Sequence, residues 1–202
     1  SNDSDFLSRA GDLYGNFKLK RVYYSAFSPI PEPSVVLPIK SPPLVREHRL
    51  YQADWLLRFY GFSVDEITTK NDPNLDLDID PKLSWALRNR QSFPIDVNRS
   101  PLELLYRIPG LGVRNAKRIV RLRRHHAIKL QDLIKLRVNL KKTMPFMICS
   151  DHNPAKLELS SEDLRAKFAP PPEQLELDFT ATPIVGKAAT TQAKVEAHHG
   201  EF

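Results

Sequence analysis

Two glycines separated by one residue, in Ile108-Pro109-Gly110-Leu111-Gly112-Val113, break what would otherwise be a single apolar-periodic helix, and any fold must be built around that break. Upstream, Pro101–Ile108 predicts a helix capped by Ser100 or Asn98, with Leu102, Leu105 and Ile108 on one face. Downstream, Val113–Arg124 predicts a second helix whose apolar positions are Ala116, Ile119, Val120 and Leu122. Glycine permits positive φ and lets other atoms come close to the backbone. The N–H groups of the turn then lie at the start of the second helix, where the peptide dipoles favour an anion. The expectation is that Gly110, Leu111, Gly112 and Val113 offer backbone N–H groups to a phosphate. Arg114, Lys117, Arg118 and Arg121 would then reach flanking phosphates, an arrangement that holds a sugar-phosphate backbone without reading bases.

Two helices bury too little surface to stand alone. A second, degenerate copy follows: Leu130, Leu133 and Ile134 on one helix, Leu136-Arg137-Val138 at the turn, and Leu140–Met147 as the partner helix, shortened by Pro145. It has no glycine at the turn. Its expected role is to complete the core, with Lys141 and Lys142 as secondary phosphate contacts.

Charge supports an anionic partner for this stretch. The chain has a net charge of +6, yet between Asn98 and Lys142 thirteen Lys and Arg face only Glu103 and Asp132, so the remainder is net acidic. Cations concentrated on one compact segment are the expected footprint of a protein that displaces counterions from nucleic acid.

The flanks read differently. A helix around Asp5–Tyr14 is followed by Leu19-Lys20-Arg21-Val22-Tyr23-Tyr24-Ser25-Ala26-Phe27, which reads as a short strand, and then by a proline-rich connector over Ser28–Pro43. Leu44–Tyr60 predicts a largely buried helix, apolar at Leu50, Ala53, Leu57 and Tyr60 and again at Tyr51, Trp55 and Phe59, with Arg46, Arg49 and Arg58 on the remaining face. Asp65–Asp80 reads as a loop and Pro81–Arg90 as a short helix started by Asp80. The expected organisation is an α/β remnant with connector over 1–40, a linking helical region over 41–92, the paired-turn domain over 93–148 and a largely disordered tail over 149–202. The fold class is mainly α.

Cys149 is the only cysteine, so no internal disulfide and no multi-cysteine metal site can form within this chain, and a reducing cytoplasm is the expected compartment. No apolar run approaches the length needed to cross a bilayer. His125-His126, and Cys149 with His152, read as polar surface rather than metal ligands, since neighbours on a helix point about 100° apart. Asp132 stands at a spacing from Pro109 that a base-excision glycosylase or lyase could use, but it falls within a helical Leu-x-x-Leu pattern and reads as a solvated carboxylate.

Pro94–Leu136 resembles the helix-hairpin-helix domains of bacterial DNA uptake and repair proteins. The succession of Lys20–Pro29, Pro43–Phe62 and the glycine turn resembles the C-terminal half of radical S-adenosylmethionine proteins of DNA modification or repair, over Asp5–Met147. That resemblance implies a tandem helix-hairpin-helix domain preceded by the last piece of an α/β barrel. It also implies a four-iron cluster and S-adenosylmethionine held in the barrel by a Cys-x-x-x-Cys-x-x-Cys loop, which this chain lacks. The chain by itself is then expected to carry DNA binding but no catalytic residue, as a truncated reading frame, a fragment or one subunit of a split enzyme.

The implied partners are DNA, a separate radical S-adenosylmethionine barrel subunit or a uracil-DNA-glycosylase-like repair partner, with no membrane and a nucleoid-associated location. Gln174, Leu175, Leu177 and Phe179 resemble the short peptide by which repair proteins dock on the replication sliding clamp. The alternatives from other classes are a glycosylase or lyase using Asp132, and a nonenzymatic module that assembles with protein or RNA.

Overall fold

The structure, a computed structural model, describes residues 2–28, 42–154 and 162–169. Among them the protein is mainly helical, with eight α-helices and one two-stranded parallel sheet. The first helix, α1 (Asp3–Phe17), begins at a capping box in which Asn2 and Asp5 satisfy each other's backbone N–H groups. Asp3 at its first position is buried. Its carboxylate accepts from the Arg46 guanidinium at 2.7 Å and from the Leu75 N–H at 2.9 Å, tying α1 to α2 (Leu44–Phe59) and to the following loop.

Asp54 of α2 is the second buried acid, accepting from the Tyr14 hydroxyl at 2.5 Å and facing Arg58 at 3.4 Å. The arginines expected on the solvent face of α2 therefore serve inside: Arg46 and Arg58 neutralise the two carboxylates that α1 and α2 bury. Phe59, expected in the apolar stripe, is instead 52% exposed, with the Arg58 guanidinium 4.7 Å from its ring centre.

The strand expected over Leu19–Phe27 does not form among the described residues, where Arg21–Ser28 carries no regular secondary structure. Alternate N–H groups donate to side chains of the neighbouring helices: Val22 to the Tyr14 hydroxyl, Tyr24 to the Tyr51 hydroxyl, Ala26 to Glu47. Side chains of α1 and α2 thus satisfy the backbone donors that a sheet partner would have taken.

Phe62, α3 (Val64–Ile67) and α4 (Pro81–Arg88) continue the same core rather than link two bodies. An aromatic file of edge-on contacts runs from Phe62 through Trp85 and Phe93 to Phe146, with adjacent ring centres 5.1–6.1 Å apart, and so crosses the boundary expected near residue 93. The remaining helices, α5 (Leu102–Leu105), α6 (Val113–Leu122), α7 (Leu130–Lys135) and α8 (Leu140–Thr143), lie between two short strands. Strands β1 (Ile95–Asp96) and β2 (Met147–Ile148) pair in parallel, Ile95 opposite Met147, and clasp the two ends of this four-helix segment. Leu105, Ile108, Ala116, Ile119, Ile128 and Leu133 form its fully buried interior.

The ordered chain also extends past Met147. Cys149 and His152 bridge antiparallel, Leu164 is fully buried, Phe168 packs near Phe146, and Arg165 pairs with Asp76 at 2.6 Å. Cys149–Pro154 and Glu162–Ala169, assigned by sequence to the tail, belong to the fold because their few apolar residues fall on sites the core leaves open. The second unit of the chain, Pro171–Phe202, lies outside the described residues.

Candidate nucleic-acid interface

The glycine turn forms where the sequence places it, between α5 and α6. Only Leu102–Leu105 of the first helix is α-helical, and Tyr106–Ile108 continues as turn before Gly110 takes φ +75°. Gly112 caps α6 at φ −79°, ψ 160° and supplies no side-chain acceptor, so the first N–H groups of α6 depend on other partners.

Two of the four expected phosphate ligands are engaged within the fold. Leu111 is 2% exposed and its N–H donates back to the Ile108 carbonyl at 3.3 Å, while the Val113 N–H donates to the Tyr60 hydroxyl. The N–H groups of Gly110 and Gly112 donate to no acceptor among the described residues.

The two glycines differ in what surrounds them. A Cβ on Gly110 would lie 2.7 Å from the Thr143 hydroxyl oxygen, 2.9 Å from Lys142 Cβ and 3.0 Å from the Asn139 carbonyl, and its φ is in the left-handed region. Gly110 is therefore required by the packing of α8 against the turn, reinforced by the Thr143 hydroxyl donating to the Pro109 carbonyl at 3.0 Å. A Cβ on Gly112 would meet only the Tyr60 hydroxyl, at 3.9 Å, so this glycine faces open space.

Lys82 was not foreseen. It is buried in α4, its ammonium donates to the Leu111 carbonyl at 2.7 Å and it lies 4.5 Å from the Tyr60 ring centre. Burial pushes its pKa down to about 7; Asp80 opposes that fall and Arg107 adds to it. With Tyr60 it braces the turn from beneath, one group on the carbonyl of Leu111 and the other on the N–H of Val113. A signal was present: Lys82 shares a helical face with Trp85 and Ala86, where a solvated lysine is out of place.

The cations sort into two groups. Arg107 stacks 3.9 Å from the Phe62 ring centre and pairs with Glu66 at 2.8 Å, and Arg123 donates to the Val97 and Ser100 carbonyls. Lys142, expected at a phosphate, pairs with Asp80 at 2.7 Å. Arg114, Lys117, Arg118 and Arg121 are exposed on successive turns of α6, opposite the buried Ala116 and Ile119, and Lys141 is exposed on α8.

The degenerate turn follows the same path with other chemistry. Arg137 takes φ +55° where the first turn has Gly110, Val138 is buried like Leu111, and Asn139 stands at the cap like Gly112. Here the Arg137 N–H donates to Ile134, the Val138 N–H to Leu133, and the Asn139 side chain accepts from the Lys142 N–H. Its donors are largely consumed locally.

Asp132 caps α7, accepting from the Lys129 N–H at 3.0 Å, and lies 3.3 Å from His126; the backbone hydrogen bond, then the neighbouring His126, hold its carboxyl below the usual range. Cys149 donates to Asp151, and burial pushes its thiol up to about 11, far from a reactive thiolate. His152 contacts the Met144 carbonyl at 2.9 Å. Among the described residues no three His, Cys, Asp or Glu come together in a way that could hold a metal, and no helix is long and apolar enough to cross a membrane. The clamp-like segment Gln174–Phe179 lies outside the described residues. Comparison of the chain with protein-family models, with curated proteins and with solved structures gave no match.

Proposed function

We propose that the protein binds the phosphate backbone of DNA without reading sequence, through a helix-hairpin-helix element formed by α5, the glycine turn and α6. The observation that carries this reading is the open Gly112 N–H at the start of a helix whose exposed face presents Arg114, Lys117, Arg118 and Arg121 on successive turns. A helix N-terminus favours an anion within its first turn, and cations along the following turns suit the next phosphates of one strand. The backbone ligand set is narrower than the sequence suggested: Gly112 and Gly110 donate, while Leu111 and Val113 are held by the fold.

In this reading the chain is the DNA-targeting part of a modification or repair system whose chemistry is supplied by another polypeptide or domain. The test is fluorescence anisotropy on unrelated short duplexes over a range of salt concentrations. Affinity that ignores sequence and falls steeply with salt is expected. Affinity that is absent, or insensitive to Gly112→Val in a variant that retains its folded midpoint, assigns the turn to structure alone.

A further inference from the structure

At the far end of α6 the molecule has an open cavity of about 520 Å³, within the size range of small-ligand sites (about 300–1,000 Å³). Its walls come from three places that the β1–β2 clasp brings together: the Asp96–Arg99 turn, the Arg124–Ala127 segment that follows α6, and Ile148–Ser150. The cations are at the rim, since Arg124 is exposed and the Arg99 side chain is 90% exposed, 3.7 Å from Asp96. Ile148 and Ala127 add apolar wall and Ser150 a hydroxyl. The wall is rigidly built: Asn98 hydrogen-bonds both the N–H and the carbonyl of Ile128, and Ser150 donates its N–H to the same carbonyl.

A cationic rim over a mixed apolar and polar wall matches a nucleotide, which has a charged phosphate on one side and a flat base with hydrogen-bonding edges on the other. The cavity is also on the path of a bound strand. The ten residues of α6 span about 15 Å at 1.5 Å each. The backbone of one strand winds about the duplex axis and so advances more than the axial rise of about 3.4 Å per nucleotide, covering that length in about two or three nucleotides. A strand whose phosphate sits at Gly112 and which follows Lys117 and Arg121 therefore passes the rim a few nucleotides on. In an intact duplex the bases there are paired and stacked, so the cavity fills only when a base leaves the stack, which is easiest where it has no partner.

We infer that this cavity accepts an unpaired nucleotide of the strand held by the glycine turn, so that the preferred substrate is DNA with a gap, bulge or overhang. The inference rests on the phosphate-binding reading of the turn.

The experiment compares two duplexes that differ by one unpaired nucleotide, with 2-aminopurine at that position, using the whole chain and the variants Ala127→Trp and Ser150→Trp. Both substituted positions are exposed and line the cavity, and neither belongs to the phosphate-binding set. The expected result is about tenfold tighter binding to the DNA with the unpaired nucleotide, with a change in 2-aminopurine fluorescence on binding. Each tryptophan variant is expected to keep the intact-duplex affinity and lose the preference. Equal affinity of the unmodified protein for the two DNAs, or a preference that survives both substitutions, overturns the cavity assignment while leaving the turn assignment standing. Binding to neither DNA overturns both.

Discussion

The molecule contains the same backbone turn twice, and the two copies are held by different chemistry. At Gly110 the left-handed conformation is occupied by the one residue that takes it without strain; at Arg137 it is occupied by an arginine at φ +55°. The first turn is braced from below by Lys82 and Tyr60, whereas in the second the Arg137 and Val138 N–H groups close on Ile134 and Leu133 and the Asn139 side chain caps the Lys142 N–H; the Gly112 and Asn139 N–H groups at the two caps donate to no acceptor among the described residues. The path of the chain is therefore shared while its surroundings are not. In the proposed reading the two are separated by the helix that follows: α6 presents Arg114, Lys117, Arg118 and Arg121 over ten residues, whereas α8 is four residues long with Lys141 exposed and Lys142 drawn to Asp80. The second turn forms a wall for the first, since α8 packs so tightly on Gly110 that no Cβ fits.

The largest expected effect separates the two glycines. Gly110→Val combines a left-handed β-branched residue with overlap on Thr143, Lys142 and Asn139, and should cost about 3 kcal/mol in a denaturant titration. Gly112→Val, in extended backbone with open space, should cost no more than about 1 kcal/mol and reduce DNA affinity about tenfold. If Gly110→Val proves as stable as Gly112→Val, the second turn does not support the first in the way described.

Next in size is the brace that only the first turn possesses. Lys82→Met leaves the buried Leu111 carbonyl without a donor and should destabilise by about 1–3 kcal/mol near neutral pH. Lys82 also carries a pH signature. Between its folded pKa of about 7 and the ordinary lysine value of 10.5, the unfolded chain holds a proton that the folded chain has released. The Lys82 contribution therefore rises as pH climbs from about 7 toward 10.5, and this gain is absent below 7. Urea midpoints measured between pH 7 and about 9, below the range where the raised Cys149 and tyrosine values act with the opposite sign, should show the rise in the unmodified protein and lose it in Lys82→Met.

A smaller change acts on the other copy. Arg137→Gly relieves the left-handed conformation, offset in part by a more flexible unfolded chain, and should stabilise by about 1 kcal/mol with less than a twofold change in affinity. A marked loss of DNA binding in that variant would make the second turn a participant by charge. The smallest effect belongs to single cations: Lys117→Ala should reduce the slope of log affinity against log salt by about one, equally on all sequences.

The turns and helices were legible because their signals are local. The Asp80 cap, the Pro-Gly-x-Gly turn and the apolar spacing of Ala116 and Ile119 concern residues within one or two helical turns of each other, although the cap expected from Ser100 or Asn98 is absent and Pro101 stands at that helix start. What sequence did not reveal depends on partners far along the chain. The donor of Val113 is occupied by Tyr60, the carbonyl of Leu111 by Lys82, and Lys142 is drawn to Asp80. The same holds for Arg46 and Arg58, whose inward orientation follows from two acids buried by α1 and α2. It holds too for Leu164, which looks like a tail residue until the site it fills is known. A count of thirteen cations located the basic segment correctly but could not separate those that face solvent from Arg107 and Arg123, which are fixed inside.

The pairing of β1 with β2 has a consequence for how the chain reaches its native state. Two residues of parallel sheet join positions about fifty apart, so the whole α5–α8 segment is a loop that must be closed before the pair exists. Closing a loop of that length carries an entropic cost that four hydrogen-bonded residues do not recover alone. The helices and their shared interior must therefore assemble first and hold the ends near each other, which places the strand pair late in folding.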